Sequence, residues 1–90
     1  MALVKVRRHQ RAFRNLLLQE LDHVCELPGC GISSVEVLEA AHIWPDSEGG
    51  EPTLDNGLLL CRNHHRAMDA GLLRYDSEGE FKWVVGISPF

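Results

Sequence analysis

Four residues of this chain have the types and spacing of a metal centre. Cys25 and Cys30 are separated by four residues, and Cys61 and His64 by two. Two cysteine pairs of this kind, with one member replaced by histidine, offer the sulfur and nitrogen donors that tetrahedral Zn²⁺ prefers. Pro28, Gly29 and Gly31 make a tight turn around the first pair, so both sulfurs can point at one centre. The second pair opens a helix, whose N-terminal partial positive charge favours a thiolate. The chain has three cysteines and this set uses all of them. Packing as three small buried hydrophobes would leave the paired spacing unexplained. The residues therefore point to a structural zinc that staples the N-terminal part of the chain to its C-terminal helix, and whose removal unfolds it at least in part.

A second group carries a different chemistry. With His64 given to zinc, His65 points about 100° away around the helix. Asp69 follows four residues later, on the same face as His65. His42 closes a strand-like segment, and Asn56 stands before the apolar run that leads into the helix. A strand, a loop and a helix each contribute a polar group that can converge on one site. Taken singly, each has a plainer role: a hydrogen-bonded structural histidine, a turn asparagine before glycine, and a helix-end acid paired with an arginine.

The elements that must position these groups follow from periodicity. Val6, Ala12, Phe13, Leu16, Leu17 and Leu21 recur at helical spacing and predict a helix over residues 4 to about 22. Residues 35–43 read as a strand. Trp44 to Pro52 form a polar loop, and Asn56-Gly57 is a turn dipeptide before the short run Leu58–Leu60. A helix is expected over 62–70, with Gly71 as its stop. Residues 72–75 and 81–85 flank Asp76-Ser-Glu-Gly79 and predict a β-hairpin.

Leu38-Glu39-Ala40-Ala41-His42-Ile43, followed by Asn56-Gly57-Leu58-Leu59-Leu60-Cys61-Arg62-Asn63-His64-His65 and then Asp69-Ala70-Gly71, resembles the HNH endonucleases. It is most similar to the subgroup found in bacterial restriction-type enzymes, with Met68 where phenylalanine is usual. The likeness covers about residues 25–76. It implies an α+β fold, a small zinc-stapled ββα-metal domain of treble-clef type, here with an N-terminal helix and a C-terminal hairpin. By the same resemblance His42, Asn56 and His65 are the catalytic residues. His42 is the general base, Asn56 orients His42 or the metal site, and His65 ligates a catalytic Mg²⁺ or Mn²⁺. The position before the base, often a ligand in the family, is Ala41 here. Asp69 is the first candidate for the remaining ligand, Glu39 the second and Asp46 the third.

Composition sets the frame. Ninety residues make one domain, divided by expectation into a basic helix over 1–24 and the nuclease unit over 25–90. A core this small gains from a staple. No apolar run reaches the roughly 20 residues needed to span a bilayer. With no signal-like apolar segment and an odd number of cysteines, the expected location is the cytoplasm. The net charge of −4 hides an asymmetry: Lys5, Arg7, Arg8, Arg11 and Arg14 precede every one of the thirteen acids. Arg7, Arg8, Arg11 and Arg14, with Arg62 and Arg66 on the later helix and Arg74 beyond it, are the expected phosphate contacts. The expected partner is double-stranded DNA. Cutting both strands from one site calls for two copies or two events, so a homodimer or a further specificity domain is expected. Two competing functions use the same residues. A non-catalytic zinc module that binds nucleic acid or protein needs only Cys25, Cys30, Cys61 and His64, and has no use for His42, Asn56 and His65. A nuclease toxin would differ from a restriction-type enzyme in its genomic context.

Overall fold

A computed structural model describes the backbone of residues 2–84 and the side chains of residues 10–84. Helix α1 spans Ala2–Glu20. Strand β1 (Leu38–His42) pairs antiparallel with β2 (Gly57–Cys61), which runs without a loop into α2 (Arg62–Asp69). A second antiparallel pair, β3 (Leu73–Tyr75) and β4 (Phe81–Trp83), follows. The order β1, β2, α2 is the expected ββα unit, and with two helices and two small sheets the class is α+β. No helix among the described residues is long and apolar enough to cross a membrane.

The small core is built where both helices meet the first sheet. Phe13 and Leu17, one turn apart on α1, are buried together with Leu38 and the whole run Leu58–Cys61. The short run reads as a buried strand for this reason, because every residue of β2 is covered. A Cβ at Gly57 would lie 2.6 Å from a Leu17 methyl carbon, so α1 comes this close only because position 57 has no side chain. Gly57 is the register partner of His42. The sheet face that carries both is therefore turned toward α1. Glu39, out of phase with His42 on β1, lies on the opposite face, where its carboxylate meets α2.

Most boundaries differ from the sequence expectation by one or two residues, and the start of β1 differs by three. Residues Val35–Val37 form a single 3-10 turn, and the strand begins only at Leu38. The cause is Arg14. Its guanidinium donates from Nε to the Leu38 carbonyl at 2.9 Å and from a terminal nitrogen to the Val35 carbonyl. Those two carbonyls must converge on one side chain, and an extended chain would hold them apart. The hairpin's second strand ends at Trp83, one residue before Val84, which was also expected in it; Val85 falls outside the described residues. The stop at Gly71 is as expected. Its φ of 78° is left-handed, and its N–H and that of Leu72 close back on the Met68 and Ala67 carbonyls, the double bond that terminates helices at glycine.

Candidate metal centre and active-site cleft

The Cys25–Cys30 turn is fastened to the sheet before any metal is considered. Glu26 donates its N–H to the Leu59 carbonyl at 2.8 Å and accepts the Leu59 N–H on its carboxylate. It thus acts as a one-residue strand on the free edge of β2. Burial raises the Glu26 carboxyl above the usual range, and the Leu59 hydrogen bond partly offsets this. Gly29 and Gly31, at φ of 87° and 75°, turn the chain so that Cys25 and Cys30 face inward.

Cys61 ends β2 and caps α2, which brings His64 back over it one turn later. The four ligand atoms of Cys25, Cys30, Cys61 and His64 lie within 4.8 Å of one another. His64 Nδ1 is 3.5 Å from Cys25 Sγ and 3.3 Å from Cys61 Sγ, and the Cys30 and Cys61 sulfurs are 4.0 Å apart. Zn–S bonds of about 2.3 Å at tetrahedral angles place sulfurs about 3.8 Å apart, so the cluster already has the dimensions of a zinc site. Trp83 on β4 sets its ring at a steep angle to His64, with centroids 6.0 Å apart. The second hairpin thereby packs against the centre. Burial pushes the Cys25 thiol up to about 11, whereas the Ile32 N–H holds Cys30 below its ordinary value. Of these two, Cys25 is the ligand that needs a nearby cation in order to ionise.

The second group opens onto a cleft of about 780 Å³ between β1, α2 and the loop after β1. His42, Asp46, Glu48, His65, Asp69, Arg74 and Tyr75 supply its ionisable lining. His42, His65 and Asp69 therefore share one surface, whereas Asn56 does not line it. The His42 ring lies on Phe13 of α1, with centroids 4.4 Å apart, and α1 fixes the ring from behind. His65 is held by Glu39, whose Oε1 is 2.7 Å from His65 Nδ1, while Nε2 faces Asp69 Oδ2 at 3.8 Å. Of the three candidate ligands, Asp69 and Asp46 line the cleft and Glu39 lies against the back of His65.

The geometry of Asn56 is that of a backbone clamp: its side-chain hydrogen bonds go to the loop that follows His42. Its Oδ1 accepts the Trp44 N–H at 2.8 Å, and its Nδ2 donates to the Trp44 and Glu51 carbonyls at 3.2 and 2.8 Å. The Asn56 carbonyl also accepts the Ile43 N–H. One side chain thus clamps the backbone immediately after His42 and ties the loop's two ends together. Gly50 packs so tightly in this loop that a Cβ there would fall 1.8 Å from the Trp44 carbonyl oxygen. Replacing Asn56 with Asp keeps the acceptor but turns carboxylate oxygen toward two carbonyls. It is expected to destabilise the domain by about 1–3 kcal/mol. Thermal melting of the zinc-loaded variant measures this, and the zinc content should be unchanged. Trp44 itself is exposed, its indole N–H donating to the Glu48 carbonyl, and lies outside the core.

The arginines divide by role. Arg14 is committed to the Val35 and Leu38 carbonyls. Arg11 lies with it along a smaller hollow that reaches Glu39 and His65. Arg62 pairs through Nε with Glu39 Oε2 at 3.2 Å. Arg66 is exposed on α2, and Arg74 lines the main cleft. The side chains of Arg7 and Arg8 lie outside the described residues. Sequence reasoning did not place Gln10 and Tyr75 at the cleft, and neither carries a local signal that would have done so. Glu39 did carry one. Arg62 and His65 are three apart, so both stand on one helix face, and a strand carboxylate opposite that face can bind both.

Residues 25–74 match the family described as HNH endonuclease. No curated protein and no solved structure matches the chain.

Proposed function

From a chain that belongs to the HNH endonuclease family, we propose a metal-dependent endonuclease that hydrolyses phosphodiester bonds in double-stranded DNA, with His42 as the general base. The observation that carries this reading is the shared cleft: His42 from β1 and the His65–Asp69 pair from α2 open onto the same space. The proposed resident zinc holds Cys25, Cys30, Cys61 and His64 together and takes no part in the chemistry.

The residues in the cleft fit a hard divalent cation, Mg²⁺ or Mn²⁺. Three carboxylates, Asp46, Glu48 and Asp69, line it against the one arginine, Arg74. A cleft of that charge repels phosphate unless a cation enters with it. His65 and Asp69 are the residues that would hold the ion. When bound, such an ion stabilises the charge that develops on the phosphate and its leaving oxygen. His42 accepts the proton of the attacking water, a task suited to imidazole near neutrality. Phe13 fixes the His42 ring, and Asn56 fixes the backbone that follows it, so the base is held before substrate arrives. Arg11, Arg66 and Arg74 contact the phosphate backbone and carry no base information. No element among the described residues has the form of a base-reading module, so we expect weak intrinsic sequence preference, with specificity supplied by a partner domain or a second copy.

End-labelled duplex DNA, single-stranded DNA and RNA of one sequence test the substrate. Denaturing gels should show shortened products from duplex DNA when Mg²⁺ or Mn²⁺ is present. Products from RNA alone would refute the DNA assignment.

A further inference from the structure

We propose that Glu39 is the positioning residue of His65, accepting the Nδ1–H and so fixing the tautomer that leaves Nε2 for a divalent ion. The inference deepens the reading above and rests on it, since it gives a reason for His65 to be aimed.

Glu39 stands on β1, out of phase with His42, on the face that meets α2. Its two oxygens are both used. Oε1 lies 2.7 Å from His65 Nδ1, and Oε2 lies 3.2 Å from Arg62 Nε. Arg62 and His65 are three residues apart on α2, so a single carboxylate spans them and its plane is fixed at both ends. A carboxylate at 2.7 Å is an acceptor, which puts the imidazole hydrogen on Nδ1. In the neutral ring Nε2 then carries the lone pair. Nε2 faces Asp69 Oδ2 at 3.8 Å, too long for a hydrogen bond. Two atoms that bind one ion at about 2.1 Å stand roughly 3.0 Å apart at a right angle and further apart at wider angles, so this pair needs only a small adjustment to share an ion. The arrangement is a carboxylate that orients a histidine from behind. It also explains why Ala41 is tolerated before the base. The acid two residues earlier works on the metal side through His65 without itself entering the cleft lining.

The test reads the tautomer without any catalytic metal. Nitrogen-15 spectra of the zinc-loaded domain, taken at mildly alkaline pH, should show His65 protonated on Nδ1. In Glu39→Ala that preference should be lost, and Glu39→Gln, which keeps an acceptor oxygen, should restore it in part. Zinc content and the helical signal should be unchanged in both variants, which separates positioning from folding. Mn²⁺ titration should then show affinity about 10- to 100-fold lower in Glu39→Ala, with Glu39→Gln in between. A wild-type His65 protonated on Nε2, or a tautomer indifferent to Glu39→Ala, overturns the proposal. A correctly protonated His65 in a domain that binds no Mn²⁺ upholds the tautomer control and overturns the metal reading instead.

Discussion

Stripping zinc from the domain is expected to abolish its cooperative thermal transition. The apolar core is short: eleven buried hydrophobic residues among those described, two of them ligand cysteines. Domains are stable by about 5–15 kcal/mol in total, and structural zinc contributes about 10–16 kcal/mol in small finger-like units. The loss is therefore as large as the whole stability of a typical domain. Three observations locate the damage. The Cys25–Cys30 turn hangs on β2 through Glu26. Cys61 joins β2 to α2. Trp83 of the second hairpin packs on His64. Without the ion, all three attachments converge on a cluster of free thiols whose Cys25 member is held un-ionised by burial. Circular dichroism with a zinc-selective chelator measures the effect, and added zinc should restore the transition. Cys61→Ser should behave as the stripped protein does. A melting curve unchanged after verified zinc loss would show that the core suffices alone.

The same thiol sets a pH dependence. Zinc requires the thiolate. Burial in the folded domain pushes the Cys25 thiol up to about 11, and a thiol of the unfolded chain is also mostly protonated at neutral pH. At neutral pH each zinc that binds must displace that proton, so apparent affinity rises with pH and falls as acid is added. The slope should approach about tenfold per pH unit for each proton released. Competition against a chromophoric zinc indicator at several pH values reads it directly.

The second large effect is on catalysis. His42→Ala is expected to lower the cleavage rate by about 10²–10⁴-fold, the usual contribution of a positioned general base, or roughly 3–5 kcal/mol of barrier. The fold should survive. His42 ends β1 and is only half-buried, and its ring contact with Phe13 is worth about 1 kcal/mol. His42→Gln keeps polarity and bulk but cannot take the proton, so it should be as slow as the alanine variant. Single-turnover rates on nicked product, alongside zinc stoichiometry and melting temperature, separate loss of the base from loss of structure. Rates within a factor of two of wild type in both variants would move the base elsewhere.

Most of the scaffold was legible because its signals are local. Phe13 and Leu17 sit at helical spacing, Gly71 ends α2 where a left-handed residue is needed, and the hairpin flanks a turn closed on Asp76. The zinc set was legible because cysteine and histidine spacing is itself the geometry: two short pairs, one on a turn and one at a strand–helix junction, meet within 4.8 Å. The start of β1 was not legible. Apolar Val35 and Val37 look like strand residues, and only the reach of Arg14 across more than twenty positions turns the chain there. Asn56 was expected to orient His42 or the metal site. It does hold the site's frame, but through the Trp44 and Glu51 backbone, a choice among hydrogen-bond partners that depends on how the loop closes. Glu39 ranked behind Asp69 because strand alternation sets it on the face away from His42. That placement is right, and it is what brings Glu39 against the helix that carries His65.

The central claim is that His42 and the His65–Asp69 pair form one metal-dependent phosphodiesterase cleft. The most direct measurement is conversion of supercoiled plasmid to nicked circles by the zinc-loaded domain, with and without added Mg²⁺ or Mn²⁺, beside His42→Ala. Omitting the added ion is the proper control, since a general chelator would also strip the structural zinc. The account predicts nicking that appears only with the added ion and disappears in a folded, zinc-replete His42→Ala. Nicking that is independent of the added ion, or that persists in the variant, would contradict it.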